Sequence, residues 1–60
     1  MNAKLSLKEL VDRMRQADKT SNVNLFNSLQ FVIGRIISSD PQWRKDLYFD
    51  DMEYLEQRMF

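Results

Sequence analysis

Apolar residues return at helical intervals in two long segments of this chain. Leu7, Leu10, Val11, Met14 and Ala17 fall at 0, 3, 4, 7 and 10, on one side of a helix, with Asp12, Arg13, Arg15 and Gln16 opposite. Just before them Ser6 and Glu9 form the S-x-x-E pattern, in which each side chain bonds the other's backbone amide and closes a helix start. The spacing predicts a helix over residues 7–17. A polar break, Asp18-Lys19-Thr20-Ser21-Asn22, follows, with Ser21 or Asn22 as the next cap. A second, longer helix is predicted over residues 23–38. Its Phe26, Leu29, Ile33 and Ile36 have 3-4-3 spacing, widened by Leu25, Val32 and Ile37. A stripe that wide implies burial against more than one neighbour.

Two residues of the second helix stand out. Gly34 sits on the edge of the apolar face, where it either admits another helix or weakens its own. Phe31 lies about 140° from Phe26 at helical spacing, among Asn27, Ser28 and Arg35. A large aromatic on a polar face is either covered by the C-terminal segment or part of an association surface.

Ser38-Ser39-Asp40-Pro41 ends this helix and starts another, because proline suits a first helical position and aspartate caps it. A short helix over residues 41–48 carries Trp43 and Leu47. A break near Phe49 then lets Asp50 and Glu53 cap a last helix, residues 51–59, with Met52, Leu55 and Met59 at 0, 3 and 7. The expected fold is all-α and a single domain over residues 1–60: a helical hairpin (7–17 and 23–38) closed by short C-terminal helices (41–48 and 51–59). Leu10, Val11, Met14, Leu25, Phe26, Leu29, Val32, Ile33 and Ile36 are its expected core.

Composition narrows the chemistry. Cysteine and histidine are absent, which removes the usual zinc sites, thiol catalysis and imidazole acid–base work. One glycine cannot build a glycine-rich phosphate loop, and the serines have no base beside them. Asp50, Asp51, Glu53 and Glu56 lack the D-x-D-x-D-G spacing of a calcium loop. A chain this short also has little room for a pocket of ~300 Å³. The expectation is therefore a non-enzyme with no catalytic residues, no metal and no cofactor. The longest apolar run, Phe31-Val32-Ile33, is far too short for a membrane span, and residues 1–8 do not read as a secretory signal. A soluble, cytoplasmic protein without a membrane partner is expected.

With 60 residues and no disulfide, burial and ordering entropy nearly cancel, so self-association or docking on a partner is the expected remedy. The charges divide along the chain. Six basic residues face three acidic ones up to Ser39, and three face six from Asp40 onward. Such a split allows attraction within or between chains, or marks an acidic surface for a basic partner. Between Asp46 and Glu56 lie five acidic residues and no basic one, interleaved with Leu47, Tyr48, Phe49, Met52, Tyr54 and Leu55. Aromatic side chains dominate protein interfaces, and acidic neighbours steer toward basic surfaces. The expected partner surface is Phe31, Trp43, Tyr48, Phe49, Asp50, Asp51 and Tyr54. Its partners would be a second copy of the chain or a protein with a basic face, as suits a small regulatory or interaction protein.

An alternative comes from the order of elements. Asn2-Ala3-Lys4-Leu5-Ser6-Leu7 alternates polar and apolar and runs straight into the first capped helix, a polar turn and a second helix. In this, residues 2–37 resemble the ribbon-helix-helix DNA-binding family. The resemblance implies an obligate homodimer whose paired strands enter the major groove, a transcriptional regulator. Asn2, Lys4 and Ser6 would meet base edges, and the amides around Ser21 and Asn22 would hold a phosphate. The six-residue ribbon holds one basic residue, and no glycine lies between the helices.

Overall fold

Ser6 and Glu9 close the start of the first helix as their spacing requires. The Ser6 amide donates to Glu9 Oε1 at 3.2 Å and the Glu9 amide to Ser6 Oγ at 3.3 Å. The computed structural model describes residues 5–60. Three α-helices follow one another: α1 Leu7–Lys19, α2 Val23–Ser39 and α3 Phe49–Met59. A 3₁₀ helix, Trp43–Asp46, lies between α2 and α3.

The turn between α1 and α2 is made without glycine. Asn22 N–H reaches back to the Ala17 carbonyl at 2.9 Å, and Ser21 N–H to Asp18 at 3.2 Å. Those two bonds make a Schellman cap, which requires a left-handed residue, and Ser21 takes that conformation at φ 60°. Asn22 then caps α2, its side chain accepting from the Leu25 amide at 3.3 Å. The tight turn folds α2 back on α1 as the expected hairpin.

One core runs through all the elements. Leu7, Leu10, Val11 and Met14 of α1 meet Leu29 and Ile33 of α2, Trp43 and Leu47 of the connection, and Leu55 of α3. Two members of the expected core do not join it: Leu25 and Val32 are 44% and 42% exposed. α1 packs along α2 on one side, and α3 reaches Gln30 and Gly34 on another. Among the described residues no helix covers the edge carrying Leu25 and Val32, and Leu25 borders a groove that it shares with Leu5, Arg13 and Gln16. The molecule measures 32 × 29 × 18 Å, its least dimension about two helix diameters, as a hairpin with one more helix laid across it requires.

The connection differs from the helix expected over residues 41–48. The Asp40 carboxylate accepts from the Gln42 amide at 2.9 Å, a local turn that competes with helix formation. The Lys45 and Leu47 amides bond three residues back, to Gln42 and Arg44, so the segment winds as a single 3₁₀ helix. That winding turns Trp43 and Leu47 inward. α3 also begins two residues earlier than expected. Its first turn is closed by Asp51, whose Oδ2 accepts from the Tyr48 amide at 3.3 Å, rather than by Asp50 and Glu53.

Candidate interaction surface

The start of α3 is fixed by a carboxylate that faces inward. Asp51 has no exposed side-chain surface, and three groups satisfy it: Lys8 Nζ at 2.9 Å, Arg15 Nη1 at 2.8 Å and the Tyr48 amide. Burial pushes its carboxyl up, but the hydrogen bonds from Lys8, Tyr48 and Arg15 outweigh that and hold it below the ordinary aspartate value. Lys8 bonds Asp12 as well as Asp51, and the two together hold its ammonium above the usual lysine range.

The opposed charges of the two halves of the chain meet along this α1–α3 seam. Arg15 also approaches Asp50 at 3.5 Å. One turn further, Arg58 of α3 pairs with Asp18 of α1 at 2.7 Å. Tyr54 donates its hydroxyl to the same Asp18 at 2.9 Å, flanked by the guanidinium groups of Arg15 and Arg58. Burial, then the bond to Asp18, pushes its phenol up.

The seven residues expected on the partner surface therefore separate. Tyr48, Phe49 and Asp50 stand in solvent at the head of α3, Tyr48 at 69% and Phe49 at 76% exposure. Lys8 lies 4.9 Å over the Tyr48 ring, so the Asp51 cluster also steadies the aromatic beside it. Phe31 is exposed too, on α2, and the C-terminal segment does not cover it. Trp43 and Asp51 are corrections: both are buried, Trp43 in the core with its ring edge-on to Phe60, and Asp51 between two cations. Tyr54 is half-buried in the seam.

Sequence reading missed an outer stripe on α3. Phe49, Glu53, Glu56 and Phe60 recur at 4-3-4 spacing and are all exposed. The periodicity that marks an inner face marks an outer one equally well. Among the described residues Asp46, Glu53 and Glu56 make no ion pair. The surface is thus an aromatic pair, Tyr48 and Phe49, running into free carboxylates.

The DNA-contacting positions fall differently. Asn2 and Lys4 lie outside the described residues. The Ser6 side chain is engaged with Glu9, and the Ser21 and Asn22 amides, expected to hold a phosphate, are bonded to α1 carbonyls.

The molecule has more concave space than its length led us to expect. An open groove of about 510 Å³ runs between α1 and α3, lined by Asp12, Arg15, Asp18, Tyr54 and Arg58. Asp18 and Arg58 pair across it, while Asp12 is paired with Lys8 and Arg15 with Asp50 and Asp51 beside it. Among the described residues no cluster of acidic side chains is placed to hold a metal ion, and no helix is long and apolar enough to cross a membrane. No protein-family model matches the chain, and no curated protein or solved structure is similar to it.

Proposed function

We propose that this chain is a non-enzymatic interaction protein that binds a protein with a basic surface. Its contact is the acidic-aromatic face at the head and along the outer side of α3. The supporting observation is the pairing of Tyr48 and Phe49, two adjacent aromatics held in solvent beside Asp50, Glu53 and Glu56. Exposed aromatics are the side chains that anchor interfaces, and carboxylates around them favour a cationic partner. The buried Asp51 gives that face a fixed orientation, so a partner meets it without first ordering it. The chain contains neither histidine nor cysteine for catalysis.

The test uses a fluorescein-labelled lysine- and arginine-rich amphipathic peptide as probe, with random duplex DNA as a second arm. Fluorescence anisotropy would be read at about 50 and 200 mM salt. Binding of the peptide at low salt, weakened at high salt and lost in a Tyr48→Ser/Phe49→Ser variant with an unchanged melt, is the expected result. No peptide binding at either salt overturns the proposal. Salt-sensitive binding of the DNA instead moves the function to nucleic acid, with Lys4 as the first residue to replace.

A further inference from the structure

The solvent side of α2 does not look like a solvated helix face. Residues 20–34 contain no charged side chain, and the one charge anywhere in α2 is Arg35. The rest of the molecule carries seventeen of its eighteen charges. Four large apolar residues of α2 are exposed, Val23 at 64%, Leu25 at 44%, Phe31 at 66% and Val32 at 42%, and at helical spacing Leu25 and Val32 share one edge while Val23 lies on the opposite side. Between that edge and Phe31 lie Asn24 and Ser28, polar without charge, and Arg35. Interface centres are depleted of charge in this way, whereas exposed helix faces ordinarily carry it.

The same surface defines what fits it. A charged partner face would lose hydration against the Leu25–Val32 edge and find Arg35 as the one counter-charge on α2. A second copy presents the matching apolar edge, and with no net charge two copies do not repel at long range. The spacing supplies a register. Leu25 and Val32 are two helical turns apart on one edge, with Ser28 midway between them. We infer that α2 pairs with α2 of a second copy, antiparallel about a two-fold axis near Ser28, setting Leu25 of each chain against Val32 of the other. Antiparallel pairing about that point is self-complementary, as a two-fold interface must be. The small Ser28 lets the helices approach at the axis, and Phe31 flanks the contact with Arg35 stacked 5.7 Å over its ring. This surface is on α2 and is independent of the acidic-aromatic face on α3.

A single pair of helices about 25 Å long makes a contact below the ~1,200 Å² of stable complexes, so the dimer is a weak one. Sedimentation equilibrium of the full chain should give a mass that rises from one chain toward two between about 10 µM and 1 mM. Val32→Glu should hold the mass at one chain with helicity and melting retained. Leu25→Lys combined with Val32→Glu should restore the two-chain mass, because each lysine then meets a glutamate across the axis. Should Val32→Glu fail to fold, disulfide trapping reads the same geometry, since the chain has no cysteine of its own. Ser28→Cys should oxidise to a linked dimer, and Asn27→Cys, exposed on the other side of α2, should not. A one-chain mass throughout that range overturns the inference. So does a dimer that Val32→Glu leaves intact, or equal cross-linking at both positions.

Discussion

Arg15 and Asp51 are 36 positions apart and meet at 2.8 Å, guanidinium Nη1 to carboxylate Oδ1. With Lys8 on the other oxygen, this pair fastens α3 across the hairpin. Taking a carboxylate out of water is costly, so the cluster's net worth is smaller than its Coulomb attraction implies. Removing the carboxylate is another matter, because the charge-assisted bonds and the Tyr48 cap go together. Asp51→Asn should destabilise the fold by about 1–3 kcal/mol at neutral pH, read from urea denaturation midpoints. An unchanged midpoint would mean that Met52, Leu55 and Met59 dock α3 unaided.

The same carboxylate sets a pH dependence with a definite sign. Its folded pKa lies below its unfolded one, so its contribution is complete above the ordinary carboxylate range and is lost as pH falls through the folded value. The difference in unfolding free energy between the native chain and Asp51→Asn should be flat from pH 7 to about 5 and shrink below about 4. A difference that instead grew on acidification would reverse the assignment. Denaturant titrations of both proteins at matched pH values measure it directly.

Burial separates residues of α2 that share one apolar stripe in the sequence. Ile33 is fully buried at the meeting of the three helices, and Leu25 is nearly half exposed. Ile33→Ala should cost about 2–5 kcal/mol and leave little folded protein at 37 °C. Leu25→Ala should cost less than about 1 kcal/mol at low protein concentration. Thermal melts of the two variants by circular dichroism compare them.

What could be read from the sequence was local. The Ser6–Glu9 box, the Asn22 cap and the faces of α1 and α2 depend on neighbours within a few residues, which periodicity records. Trp43 is misplaced on the surface by sequence reading, because the connection after Pro41 has no period and its direction is set by bonds of Asp40 and Gln42. Asp51 misled for a different reason. Amid five acidic residues it looked like surface, although it stands four positions before Leu55 on the same face of α3. Its partners, Lys8 and Arg15, are seven apart and so share one face of α1. That pairing was visible as spacing, but only the crossing of α3 over α1 brings the three together. The exposed edge of Leu25 and Val32 was likewise invisible, since a wide apolar stripe does not say which of its sides finds a neighbour.

Gly34 weakens α2 without being needed for close packing. A Cβ at this position would lie 3.6 Å from the terminal methyl of Met59, an ordinary van der Waals contact with a flexible side chain. Gly34→Ala should therefore stabilise the protein by about 0.5–1 kcal/mol through helix propensity, raising the melting temperature by several degrees. A lower melting temperature would mean that Met59 cannot yield and that α3 needs the bare backbone.

Ser21 is the reverse case. It holds φ at 60° to complete the Schellman cap of α1, a conformation that costs an L-residue roughly 1–2 kcal/mol and glycine almost nothing. Part of that gain is returned in the unfolded chain, where glycine has more freedom to lose. The balance favours substitution: Ser21→Gly should stabilise by about 0.5–1 kcal/mol, and by more than the same change at exposed Asn27, which lies inside α2 and should destabilise. The two melts, taken side by side, separate the conformation of the turn from any general effect of adding glycine. If both variants lost stability equally, the left-handed geometry of Ser21 would not be the state that the chain occupies in solution.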